Sequence, residues 1–442
     1  MPDMLLLLAQ VAVVLVAARG VGLLCRRIHQ PQVVGEMVAG ILLGPSLLGW
    51  VWPEASARLF PPESLGFLGS LSQVGLVVFM FLVGLELNLR LLRERGRTAV
   101  AASVASIAAP MLLGAVLAAL VYPRLAPAGV PFPAFALFMG AAMSVTAFAV
   151  LARILEERGL TGTRLGAVSL ACAAVGDAVA WCLLAAVAVL AHADAEGLPL
   201  WAMLGGSAAF VLIAVLAVRP LLAGLEGAVR RRGTLSQDLL ALALLVALAF
   251  AWTTEWLGIH AVFGAFVAGA VMPGGGAFAA AVREKVSDFA VVLLLPIFFA
   301  FTGLRTDIGL VSGAQMWMWC ALILLVAVGG KFGGCIVAAR LTGMPWRESA
   351  ALGVLMNTRG LMELVILSVG LEAGIISPPL FAMMVLMAVL TTLMTTPLLH
   401  WIQPPAPRTD AVPVSLPADA RPGKLRRRAG VPAGTGAAGE AW

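Results

Sequence analysis

The sequence predicts an all-α polytopic membrane protein of about thirteen transmembrane helices, and three observations carry that prediction. The chain is 61% hydrophobic and 12% charged, with a mean hydropathy of +1.00. A soluble domain carries roughly 25% charged and 45–50% apolar residues, so lipid must replace water as the main solvent. Apolar runs of about 20 residues, the length that crosses about 30 Å of hydrocarbon, recur to about residue 402. Lys and Arg concentrate in alternate connections between those runs. The runs do not alternate in polarity as barrel strands do, so the spans are helices, which satisfy their own backbone groups.

In order, the expected spans are 4–25, 31–50, 65–89, 98–122, 132–153, 163–192, 199–229, 236–256, 258–273, 280–303, 314–340, 346–375 and 378–402. The first ends at Arg26-Arg27 with no small-residue cleavage site, and is expected to remain as a helix. Arg26 and Arg27 open one set of connections, which continues with Arg90, Arg93, Arg95 and Arg97, then Arg153, Arg158 and Arg164. The same set holds Arg230 to Arg232, Arg283 with Lys285, and Arg340 with Arg347, whereas the opposite connections carry Arg58, Arg124 and Arg305. Positive residues stay cytoplasmic, so the N-terminus is expected outside and the C-terminus inside a multi-pass cell (plasma) membrane protein.

Residues 1–402 form the membrane domain. From about 403 the chain turns to Pro, Ala and Gly with a basic cluster at Lys424 and Arg426 to Arg428, and a disordered, solvated cytoplasmic tail is expected over 403–442. The net charge of +6 follows from these loops, so no nucleic-acid partner is implied; lipid is. The five cysteines lack metal-ligand or redox spacing, and the four histidines (His29, His192, His260, His400) form no ligand set or triad. No enzyme and no cofactor are expected. His260 near a membrane edge reads as a packing histidine, with pH sensing as the rival reading.

Charged groups at mid-membrane depth cost at least a few kcal/mol and mark functional sites by default. Here they are Glu36, Asp177, Lys331, Arg359 and Glu363; Glu86, Arg219 and Asp288 lie nearer the edges and read as interfacial. Asp177 sits in the middle of an apolar span of about thirty residues. A carboxylate there holds either a proton or a hard monovalent cation, and binding one displaces the other. That competition makes an exchanger if the site faces each side in turn. The plainer alternative is a structural Asp that caps a backbone group or pairs with Lys331.

Two spans carry interruptions. Gly140 to Thr146 places small residues and the hydroxyls of Ser144 and Thr146 at mid-span, and Met356-Asn357-Thr358-Arg359-Gly360 places a polar run in another. Irregular backbone at this depth is tolerated where it lines a cavity, and its carbonyls can face cations. The triplets that hold these interruptions lie seven spans apart. Seven is odd, so they cross in opposite directions, as inverted repeats do. Arg359 and Glu363, four apart, can pair on one helical face, and Glu363 is either that counter-ion or a second titratable ligand.

Several stretches then resemble a known family. They are Gln30-Pro31-Gln32-Val33-Val34-Gly35-Glu36 with Gly40 to Pro45, Gly84-Leu85-Glu86-Leu87, Ser144 to Phe148 with Leu151 to Leu155, and Asp177 to Trp181. Gly258 to Ala261 with Phe263 to Phe266, Leu295 to Phe299, Gly303 to Asp307, and Asn357 to Gly360 with Glu363-Leu364 complete the set. Together they resemble the monovalent cation:proton antiporter-2 family, which includes sodium/proton and Kef-type potassium/proton antiporters and plant cation/proton exchangers. The resemblance implies the sodium/proton antiporter fold with two crossed, interrupted helices, a homodimer, and a six-helix core that moves as an elevator. It implies an ion site formed by Asp177, the interruptions around Thr146 and Thr358, and Lys331. Ser144 and Asn357 complete the expected ion and proton site, with Asp177 and Thr146 as ligands of the transported Na+ or K+ and Lys331, Arg359 and Glu363 as charge partners. The family usually has Asp, Asn or Gln before the key aspartate; this chain has Gly176, which leaves Lys331 without the acidic partner assigned to it in members with two.

The expected function is electroneutral exchange of Na+ or K+ for H+, one for one, because a single carboxylate serves the site. Residue identities leave Na+ and K+ both open. The rival readings are a gated potassium efflux system, against which the missing nucleotide-binding motif argues, and an ion channel or non-transporting membrane sensor.

Overall fold

A computed structural model describes residues 4–28, 30–86, 97–160, 163–191, 200–258 and 260–403, so the expected tail lies outside the described residues. Among these residues all regular structure is helical. The helices are α1 (Met4–Arg27), α2 (Gln32–Leu43), α3 (Pro62–Glu86), α4 (Arg97–Leu125), α5a (Phe132–Ser144), α5b (Phe148–Glu157) and α6 (Arg164–Ala191). Then come α7 (Leu200–Ile213, continued to Arg232), α8 (Gln237–Trp256), α9 (Ala261–Val271), α10 (Ala277–Phe289, continued to Leu304) and α11 (Gly313–Leu341). The chain ends in α12a (Trp346–Met356), α12b (Leu361–Glu372) and α13 (Pro378–Ile402).

Among the described residues, ten helical stretches are long and apolar enough to cross a membrane. The expected spans at 132–153 and 346–375 are not among them because each is broken in the middle, and that at 258–273 is the short helix α9. A count of thirteen therefore rests on taking the broken and short helices as crossings. Large apolar side chains such as Val16, Leu112, Leu216, Leu245 and Leu325 are exposed, as lipid-facing residues are. Both α7 and α10 contain a π turn, at Ala214–Val218 and Ala290–Leu294. Each π turn runs into a proline, Pro220 or Pro296, whose missing N–H interrupts the regular ladder.

The helices pack as two groups joined through α7. In the first, α1, α2, α3, α8, α9 and α10 contact one another; in the second, α4, α5, α6, α11, α12 and α13 do. The first group is held by backbone contact. A Cβ on Gly84 of α3 would lie 2.1 Å from the Phe266 carbonyl oxygen of α9, and one on Gly40 of α2 would lie 2.3 Å from that of Phe299 in α10. Small residues at such crossings let helices approach where lipid supplies no hydrophobic drive.

Contacts between the groups are sparser. The turn Ile308–Leu310 and α2 touch α13, and Gln30 donates to the Leu393 carbonyl at 3.0 Å. At the end of α12b, Glu372 receives Arg305 at 2.7 Å and Gln73 at 3.1 Å, and faces His260 Nε2 at 3.5 Å. All three partners belong to the first group, so one carboxylate of the second group is tied to three of its elements. His260 also accepts from the Val262 amide through Nδ1, so it is a helix cap with a carboxylate neighbour and not a packing residue alone.

Candidate functional site

The two broken helices meet at their breaks. Val145, Thr146 and Ala147 separate α5a from α5b, and Asn357 to Gly360 separate α12a from α12b. The Ala147 amide donates to the Thr358 carbonyl at 2.9 Å, a backbone bond from one break to the other. The Thr146 hydroxyl donates to the Met356 carbonyl at 3.1 Å. Gly360 sits where an added Cβ would lie 3.0 Å from Val150, so the second break presses on α5b.

Helix ends leave four carbonyls without intrahelical partners, and in a dry interior each needs one. At the end of α5a all four are accounted for. Ala141 receives the Ser144 hydroxyl at 2.8 Å. Ala142 and Met143 receive the Arg359 guanidinium at 2.9 and 2.8 Å. Ser144 receives the Lys331 ammonium. Two cations thus stand at the negative end of this half-helix, where its dipole favours positive charge.

The end of α12a is closed differently. Gly353 and Val354 receive the Asn357 amide N–H, Leu355 receives the Thr358 hydroxyl at 2.7 Å, and Met356 receives Thr146. No charged group takes part. The Asn357 side chain stays fully buried with both amide atoms lacking a hydrogen bond among the described residues.

Lys331 of α11 is fully buried, and its three donors are all placed: the Ser144 carbonyl, the Ser106 carbonyl of α4 at 3.0 Å, and the Thr146 hydroxyl at 2.7 Å. It makes no ion pair with Asp177 or Glu363. Glu363 pairs instead with Arg359, both fully buried, and Glu363 Oε1 has no hydrogen bond among the described residues.

Asp177 lies on α6, which packs against α5a and α12a, the halves that run into the two breaks. It is 4% exposed, its Oδ1 has no hydrogen bond among the described residues, and it is near enough to Lys331 to feel its charge. The neighbouring Gly176 has open space where a Cβ would be. Among the described residues around the crossing, the buried oxygens without a hydrogen bond are therefore Asp177 Oδ1, Asn357 Oδ1 and Glu363 Oε1. The hydroxyls of Ser144, Thr146 and Thr358 each donate to a carbonyl, and Thr146 also accepts from Lys331. No cluster of three or more His, Cys, Asp or Glu suited to a resident metal occurs among the described residues.

Two residues of this network escaped sequence reasoning. Ser106 contributes only a carbonyl, which no side-chain pattern reveals. Thr392 of α13 accepts from the Arg359 amide at 3.0 Å and contacts its carbonyl at 2.6 Å. The sole signal was the run Thr391-Thr392 and Thr395-Thr396 in an apolar span, and threonines in helices ordinarily bond back to their own turn. Glu36, although buried, lies in α2 of the other helix group, where Gln32 donates to it at 3.0 Å.

Comparison with known proteins agrees with this architecture. The family described as sodium/hydrogen exchanger, transmembrane, matches residues 11–402. The chain is 44% identical over 403 residues to the Na(+)/H(+) antiporter NhaS4 of Synechocystis sp., covering 91% of this chain and 98% of that one. It is 41% identical over 404 residues to Cation/H(+) antiporter 17 of Arabidopsis thaliana, covering 90% of this chain but 48% of that protein; the chain spans about half the length of such plant relatives. The structure of the sodium proton antiporter MjNhaP1 from Methanocaldococcus jannaschii superposes with a TM-score of 0.63 over 88% of this chain and 95% of that one, at 16% identity.

Proposed function

The chain belongs to the sodium/hydrogen exchanger family, and from that premise we propose that it is a secondary antiporter exchanging Na+ or K+ for H+ through Asp177. The observation that carries this reading is the Asp177 carboxylate: buried beside the crossed breaks, with an oxygen that has no hydrogen bond. An oxygen in that setting takes a proton or coordinates a hard cation. The Asn357 amide oxygen is the neutral ligand best suited to join it, because Thr146 is already bonded on both sides.

Exchange follows because Asp177 satisfies one ion at a time. Lys331 and Arg359 stay bonded to carbonyls in both loaded forms, so the site changes charge only through its cargo, which gives one-for-one, electroneutral turnover. The sparse contacts between the two helix groups support alternating access by an elevator-like shift of the second group against the first. The Arg-rich connections support an N-terminus outside a membrane taken as the plasma membrane, and the resemblance supports a homodimer.

Purified protein in proteoliposomes with an internal pH dye tests this reading. Na+ or K+ on one side should drive proton movement, at a rate and end-point unchanged when the membrane potential is clamped at different values. Cation flux without proton movement would mark a channel and overturn the reading. Dependence on voltage would overturn the one-for-one stoichiometry.

A further inference from the structure

We propose that Thr392 is a positioning residue of the cation site, holding the α12 break so that Arg359 stays on the end of α5a. The inference rests on the antiport reading of that site. Arg359 lies between α12a and α12b, so no helical carbonyl serves its amide, and the Thr392 hydroxyl does at 3.0 Å. The same hydroxyl lies 2.6 Å from the Arg359 carbonyl and 2.9 Å from that of Ala388 in its own helix. Its single proton favours the shorter contact, so one side chain of α13 grips both backbone groups of one residue in the break.

What Arg359 does from there makes the grip matter. Its guanidinium closes two carbonyls of α5a and pairs with Glu363. The residue before it, Thr358, receives the amide bond from Ala147 in the other break. A shift of the Arg359 backbone therefore moves both breaks together, and with them the Asn357 amide next to the site. The neighbours of Thr392 do nothing of this kind. Thr391 donates to Met387 and Ala388, and Thr395 donates to Thr391, all within α13. Thr392 is fully buried, and α13 packs on both halves of α12, so the grip is rigid.

Thr392→Val keeps the shape and removes the hydroxyl, leaving the Arg359 amide unpaired in a dry interior. The test uses the full chain in proteoliposomes, with exchange rates measured against Na+ and, separately, K+ concentration. Thr392→Val should raise the cation KM roughly tenfold, the equivalent of one lost buried hydrogen bond, with maximal rate per folded protein little changed. Thr392→Ser, which retains both bonds, and Thr391→Val should keep the wild-type KM. If Thr392→Val yields no folded protein, Thr392→Cys decides: its weaker thiol should give an intermediate KM. A Thr392→Val, or in its place Thr392→Cys, with wild-type KM and at most a lower melting temperature would reduce Thr392 to a structural role. A Thr392→Ser that shifts KM as far as valine would equally overturn the hydrogen-bond account. A wild-type protein that moves no protons would remove the antiport reading itself, and this inference with it.

Discussion

The Lys331 ammonium donates to the Thr146 hydroxyl at 2.7 Å and makes no ion pair with Asp177. Lys331 is the counter-charge of a helix end: the Ser106 carbonyl of α4, the Ser144 carbonyl at the end of α5a and the Thr146 hydroxyl in the α5 break surround it. Asp177 is thereby left without a fixed salt-bridge partner among the described residues, which fits the exchange proposed for it.

Replacing Lys331 by methionine strips three acceptors of their donor at once. Each buried unsatisfied group costs about 1–3 kcal/mol, so the variant should unfold at a clearly lower temperature in detergent. Ammonium, which can enter the same oxygen cage, should restore part of the loss, and choline should not. An unchanged melting temperature would show that Lys331 does not serve the end of α5a.

Glu363→Gln removes one partner of a buried ion pair and leaves the Arg359 charge without a counter-ion. Breaking such a pair typically costs about 3–5 kcal/mol. Arg359→Met should cost at least as much, since it also frees the Ala142 and Met143 carbonyls. Thermal unfolding of the two variants checks the order; a Glu363→Gln protein as stable as wild type would contradict the pairing.

Much of this was legible in the sequence, and the parts that were not share a cause. Hydropathy located the helices, and the polar run Asn357 to Gly360 marked a break because lipid tolerates such backbone only inside a cavity. Lys331 read as a charge partner because side chains suggest side-chain partners, whereas its acceptors are mostly carbonyls that every residue has. Ser106 and Thr392 were hidden for the same reason: each acts on or through backbone. Several motif glycines that carry the family resemblance, Gly40, Gly84 and Gly303, turn out to pack α2, α3, α9 and α10 together, away from the breaks.

Glu372 ties the two helix groups together. It closes α12b, and its side chain is about a third exposed. Arg305 and Gln73 donate to its carboxylate, and His260 Nε2 faces it. Glu372→Gln removes the charge that Arg305 meets, and a partly exposed ion pair contributes about 0–1 kcal/mol, so the variant should melt slightly below wild type at neutral pH. An identical melting temperature would detach Glu372 from the contact between the two helix groups.

The shared use of Asp177 is tested most directly by proton release from purified protein in weakly buffered detergent solution. Adding Na+ or K+ to the wild type should release about one proton per cation bound, as the proposed sharing of one carboxylate requires. Asp177→Asn, still folded by its melting temperature, should release none. Cation binding without proton release in the wild type, or undiminished release in Asp177→Asn, would contradict the assignment.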